Sequence, residues 1–164
     1  MTKLRASDGG VLGAFPAGPF PYGVAFDGAN IWVVNRTGNS VTKVRASDGA
    51  LLGTFSVGSN PVDIAFDGAH VWVTDHGSNT VTKLQASDGQ NLGTFSVGSS
   101  PVDVVFDGAN IWVANEGSNT VTKLRASDGL VLGTYPGEGQ PRGMAFDGAN
   151  VWIANGLGNT LAKR

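Results

Sequence analysis

The 164-residue chain has no cysteine. That excludes disulfides and thiolate metal sites and leaves the redox compartment open. Charge is also scarce: Asp, Glu, Lys and Arg together make 15% of the residues, and the formal net charge is −2. So weak a balance argues against a nucleic-acid surface, which needs clustered Lys and Arg. No apolar run is long enough for a membrane span, and no basic-then-apolar start reads as a signal peptide. No segment carries a convincing helical period, so essentially no helix is expected. Hydrophobicity is average, so intrinsic disorder is not expected either.

Glycine and repetition are what the sequence does have. Twenty-five glycines are about twice the usual share, and they fall in register with a repeat. FDGANIWVVN at 26–35 returns as FDGAHVWVTD at 66–75, FDGANIWVAN at 106–115 and FDGANVWIAN at 146–155. Constant spacing of this kind signals a repeat architecture, each copy one supersecondary unit.

The unit at 61–100 shows its logic. PVDIAFDG reads as an apolar strand ending in the turn signal Asp67-Gly68,. AHVWVTD follows as a strand apolar on both faces, with Val71 and Val73 on one and Trp72 on the other. A strand of that kind must be covered on both sides. TVTKLQAS alternates, and Lys83 and Gln85 are expected to reach solvent. Asp88-Gly89 turns the chain into NLGTFSVG, and Gly98, Ser99, Ser100 and Pro101 link to the next unit,. The fold class expected is all-β: a β-propeller of four 40-residue, four-stranded blades,. Trp32, Trp72, Trp112 and Trp152 are expected to fill equivalent gaps between blades.

The run VGSNPVDIAFDGAHVWVTDHGSNTVTKL resembles the YVTN-repeat family of β-propellers, whose motif lies here at VWVTD, IWVVN, IWVAN and VWIAN. It is also similar to NHL repeats and to the repeats of virginiamycin B lyase. The resemblance implies a propeller used for binding or as a scaffold, often extracellular or at the cell surface, with the lyase an enzymatic exception. It also implies about six to eight blades, more than the four units present here.

One domain is expected over 1–164: closing strands at 1–20, repeats at 21–60, 61–100 and 101–140, and an incomplete repeat at 141–164. FDGA and ASDG turns share one face of the ring and are the same in every copy. The opposite face varies, and variable loops on a constant scaffold are where function usually sits. The candidate ligand-binding residues there are Tyr22, Arg36, Asp63, Asp75, His76, Asp103, Glu116 and Arg142. Asp75-His76 and Glu116, in adjacent copies, suggest a general base or a metal-assisted lyase or hydrolase. The same residues also read as solvated loop positions, and no nucleophile, zinc or phosphate-loop motif is present. Asp63 and Asp103 could hold Ca²⁺ or Mg²⁺, or simply cap backbone amides. The reading adopted is non-enzymatic: a binding scaffold or self-assembling unit with no catalytic residue, metal or cofactor assigned, and an unidentified protein or small-molecule ligand. The near-identity of the copies also fits a recently amplified or designed array, or a piece of a longer one.

Closure poses a separate question. MTKL at 1–4 and LAKR at 161–164 both align with VTKV at 41–44, the third strand of a blade. The N-terminal strands are expected to complete the last blade, either in the same molecule or in a second copy. The second arrangement, a homodimer closing an eight-bladed ring, is favoured over a closed monomer or a filament.

Overall fold

The computed structural model describes residues 1–164, all strands and turns, with no helix. A short hairpin, β1 (Thr2–Leu4) and β2 (Val11–Ala14), comes first. Three four-stranded antiparallel sheets follow in the same up-and-down order. They comprise β3 (Pro21–Phe26), β4 (Asn30–Asn35), β5 (Ser40–Arg45) and β6 (Leu51–Ser56); then β7 (Pro61–Phe66), β8 (His70–Asp75), β9 (Thr80–Gln85) and β10 (Asn91–Ser96); then β11 (Pro101–Phe106), β12 (Asn110–Asn115), β13 (Thr120–Arg125) and β14 (Val131–Pro136). A three-stranded sheet, β15 (Pro141–Phe146), β16 (Val151–Asn155) and β17 (Thr160–Lys163), ends the array.

The FDG turn is held by its aspartate. Asp67 Oδ1 accepts the backbone N–H groups of Ala69 and His70, and Oδ2 accepts Trp72 Nε1–H at 2.8 Å. Gly68 takes φ +101° at the tip, a conformation that favours glycine. Asp27, Asp107 and Asp147 repeat the arrangement with Trp32, Trp112 and Trp152. One carboxylate thus closes the turn and fixes the indole of the next strand. Burial pulls the Asp67 carboxyl upward, but the bonds from Trp72, Ala69 and His70 outweigh it and hold it below its ordinary value.

Each four-stranded sheet buries its tryptophan against the next sheet. Trp32, Val34 and Val41 pack on Ile64, Val71, Val73 and Leu84. Trp72 and Val81 pack on Val104, Ile111, Val113 and Leu124, and Trp112 and Val121 on Val151, Ile153 and Ala162. β8 is sealed on both faces, as its sequence requires: Val71, Trp72 and Val73 are all 0% exposed.

Three expectations are corrected. Lys83 does not reach solvent. Its stem crosses the Trp72 ring, with Nζ 5.0 Å from the centroid, and Nζ donates to the carbonyls of Ala126 and Ser127 in the next sheet. A long aliphatic stem can be buried when its charged head finds such acceptors. Trp152 is only half-buried, because no sheet packs on its far side. The four-bladed pattern is also incomplete: there are five sheets, three of them four-stranded, and β1–β2 pairs with neither β17 nor any other strand. The hairpin instead stands beside the first full sheet, where Lys3 Nζ donates to Ala46 O as Lys83 does to Ala126 O.

Candidate functional site

The inner strands β3, β7, β11 and β15 each begin at a link proline, and the loops after β4, β8, β12 and β16 open beside them. Tyr22, Arg36, Val62, His76, Val102, Glu116 and Arg142 therefore converge on one cavity of about 380 Å³. Five of the eight sequence candidates meet here: Tyr22, Arg36, His76, Glu116 and Arg142. Val62 and Val102 form its apolar part and were not among the candidates. Their position immediately after the link proline, shared with Arg142, is the signal that could have found them.

The polar groups are arranged by charge. Arg142 Nη2 donates to Glu116 Oε1 across the boundary between the third and fourth units. Arg36 has no carboxylate partner, and its guanidinium lies over the Tyr22 ring, 5.4 Å from the centroid. Among the side chains lining the mouth, two guanidinium groups face one carboxylate.

The remaining three candidates lie elsewhere. Asp63 and Asp103 sit below the mouth and act between sheets. Asp63 Oδ2 accepts Val104 N–H at 3.1 Å, and Asp103 Oδ2 accepts Met144 N–H. Each carboxylate thus caps a backbone amide one unit further on. Burial pushes the Asp103 carboxyl up, to about 8, and its hydrogen bond with Asp63 and the charge of Asp63 push the same way. At the equivalent places Gly23 and Gly143 carry no side chain. A Cβ on Gly23 would lie 2.7 Å from Val62 O, so the first junction is closer there.

Asp75 is 0% exposed and faces inward. Its Oδ1 accepts Gly58 N–H at 3.0 Å, and its Oδ2 accepts the hydroxyls of Thr80 and Thr82 at 3.0 and 2.7 Å. Desolvation raises its pKa to about 6 against those three bonds. The other units have Asn35, Asn115 and Asn155 here, each with a buried Oδ1 that finds no partner. His70 is on the opposite face, its Nδ1 3.1 Å from Asp67 Oδ2.

No protein-family model and no curated protein sequence matches the chain. Solved structures match it by shape. A protein of unknown function from Desulfotomaculum acetoxidans superposes with a TM-score of 0.84 at 14% identity, over 99% of this chain and 57% of that one. Hydrazine synthase of Kuenenia stuttgartiensis gives 0.81 at 22%, over 92% and 47%. A streptogramin B lyase gives 0.80 at 19%, over 99% and 60%. At these identities the likeness carries the fold alone. The chain spans about half the length of these structures. Together with the repeated sheets, it defines an all-β tandem-repeat protein of β-propeller type.

Proposed function

We propose that the chain is a non-enzymatic, YVTN- and NHL-like propeller unit that binds the anionic group of a small molecule at its mouth. The observation that carries this reading is the Arg36 guanidinium. It lies over the Tyr22 ring with no carboxylate partner, in a polar cavity built from the positions that vary between copies. A guanidinium placed over an aromatic ring by a cation–π contact still offers paired N–H donors to a carboxylate or phosphate, while Val62 and Val102 accommodate an apolar part. The geometry favours binding over turnover. Glu116, the sequence candidate for a base, is held by Arg142, and no carboxylate orients His76 as an acid–base pair would require.

The test is calorimetric titration with succinate, citrate and inorganic phosphate. Saturable binding of at least one, lost in Arg36→Ala and unaffected by His70→Asn on the opposite face, is the expected result. No saturable binding, or binding indifferent to Arg36→Ala, would overturn the proposal.

A further inference from the structure

Three tryptophans each pair with an aromatic ring on the outer strand of their own sheet: Trp32 with Phe55 at 5.6 Å, Trp72 with Phe95 at 5.6 Å and Trp112 with Tyr135 at 5.8 Å. The spacing is 23 residues in each case. Trp152 has no such ring, because its sheet stops at β17. At the other end, Phe15 follows β2 in the position of Phe55 and has no tryptophan. One surplus indole and one surplus phenyl stand at opposite ends of the same array.

The backbones are complementary in the same way. Lys3↔Gly13 and Leu4↔Val11 in β1–β2 reproduce Lys43↔Gly53 and Val44↔Leu51, with the same bulge between the two pairs. The hairpin is therefore the outer half of a sheet whose inner half is absent from its side. What is absent leaves an apolar cavity of about 300 Å³ lined by Met1, Phe15, Val24, Ile31 and Val44 among others. Val24 is 55% exposed, whereas its counterpart Ile64 is 5% exposed under Trp32. At the far end, Leu161 is 62% exposed, whereas Val41, Val81 and Val121 are buried.

We propose that a second copy fills each gap: β15–β16 of one chain joins β1–β2 of the other in a composite four-stranded sheet, with Trp152 on Phe15 of the second copy. Two such junctions close two chains into a ring of eight sheets. β1 and β17 compete for the same third-strand place, and their sequences decide the winner. The core position occupied by Val44, Leu84 and Leu124, each at most 1% exposed, is Leu4 in β1 and Arg164 after β17. Arg164 stays exposed, its Nη2 donating to Pro136 O at 2.9 Å, and a guanidinium moved into the core place would give up that partner and its water. Leu4, 57% exposed in the single chain, can be buried there without such a loss. β17 is thus a placeholder that the incoming β1 displaces, as strand addition to an open sheet edge allows. The same surface is used at every internal junction, so the dimer continues an interface the chain already builds three times.

The test is light scattering of the 164-residue chain and two variants at micromolar concentration. The expected mass is twice the 16.8 kDa of one chain. Deleting residues 160–164 leaves the dimer intact or tighter. Leu4→Arg, at an exposed position where folding of the single chain is insensitive, weakens it at least about tenfold. A monomer, an elongating polymer, a dimer lost on removal of 160–164, or a dimer indifferent to Leu4→Arg would each overturn the proposal.

Discussion

Replacing Asp75 by the asparagine found in the other three units should stabilise the protein at neutral pH. Holding a carboxyl at about 6 when its ordinary value is 3.8 costs about 3 kcal/mol once the group is ionised in both states. An uncharged amide at this position relieves that cost. It still bonds the threonine hydroxyls, which turn from donors to the carboxylate into acceptors, as Thr120 and Thr122 are for Asn115 Nδ2. It is also expected to give up the bond from Gly58 N–H, since the existing asparagines leave Oδ1 unpartnered. One such bond is about 1 kcal/mol, so the net gain at pH 7 is about 2 kcal/mol. The sign follows from linkage. The folded pKa is raised, so the native state binds the extra proton between about 4 and 6, and wild-type stability falls as pH rises through that window. Below pH 4 wild-type Asp75 is neutral, and Asp75→Asn becomes neutral to about 1 kcal/mol destabilising. The assay is urea denaturation of both proteins from pH 4 to 8, taking the difference at each pH. The difference cancels Asp103, which titrates with the same sign, and the turn aspartates, whose lowered values act below this window. Equal stability at pH 7, or a difference that does not change with pH, would refute the reasoning.

Two further substitutions probe the junctions. Trp72→Ala removes a fully buried indole from between two sheets and should cost about 3–5 kcal/mol in urea melts; a loss below about 1 kcal/mol would show the sheets do not rely on it. Lys83→Met keeps the stem on Trp72 but strips two carbonyls of their charged donor. A loss of about 2 kcal/mol is expected in the same assay, and no loss would mean water replaces the ammonium at no cost.

The strands and the mouth were legible because both follow from periodicity. A constant Asp-Gly turn fixes strand direction, and strand direction alone puts Tyr22, Arg36, His76, Glu116 and Arg142 on one rim. Side chains that act between sheets were not legible. Asp75 reads as a mouth residue beside His76, yet the register of β8 against β9 turns it inward toward Thr80 and Thr82. Asp63 and Asp103 read as cation ligands at the mouth or as caps on local backbone amides; they do cap amides, but the approach of neighbouring inner strands makes the capped amide one of the next unit. Lys83 alternates with apolar residues as a solvent-facing lysine would, and only the carbonyls of the next sheet reveal where its charge goes. Repeat spacing says which positions are equivalent; it does not say how far one unit stands from the next.

The most direct measurement is a crystal structure of the 164-residue chain, read for which strands make up the sheet containing Trp152. The expected result is β15–β16 of one molecule hydrogen-bonded to β1–β2 of another, Phe15 of that second molecule against Trp152, and eight sheets about a two-fold axis. A ring closed by β1–β2 of the same molecule, or an unpaired β17 edge with Trp152 left open to solvent, would contradict it.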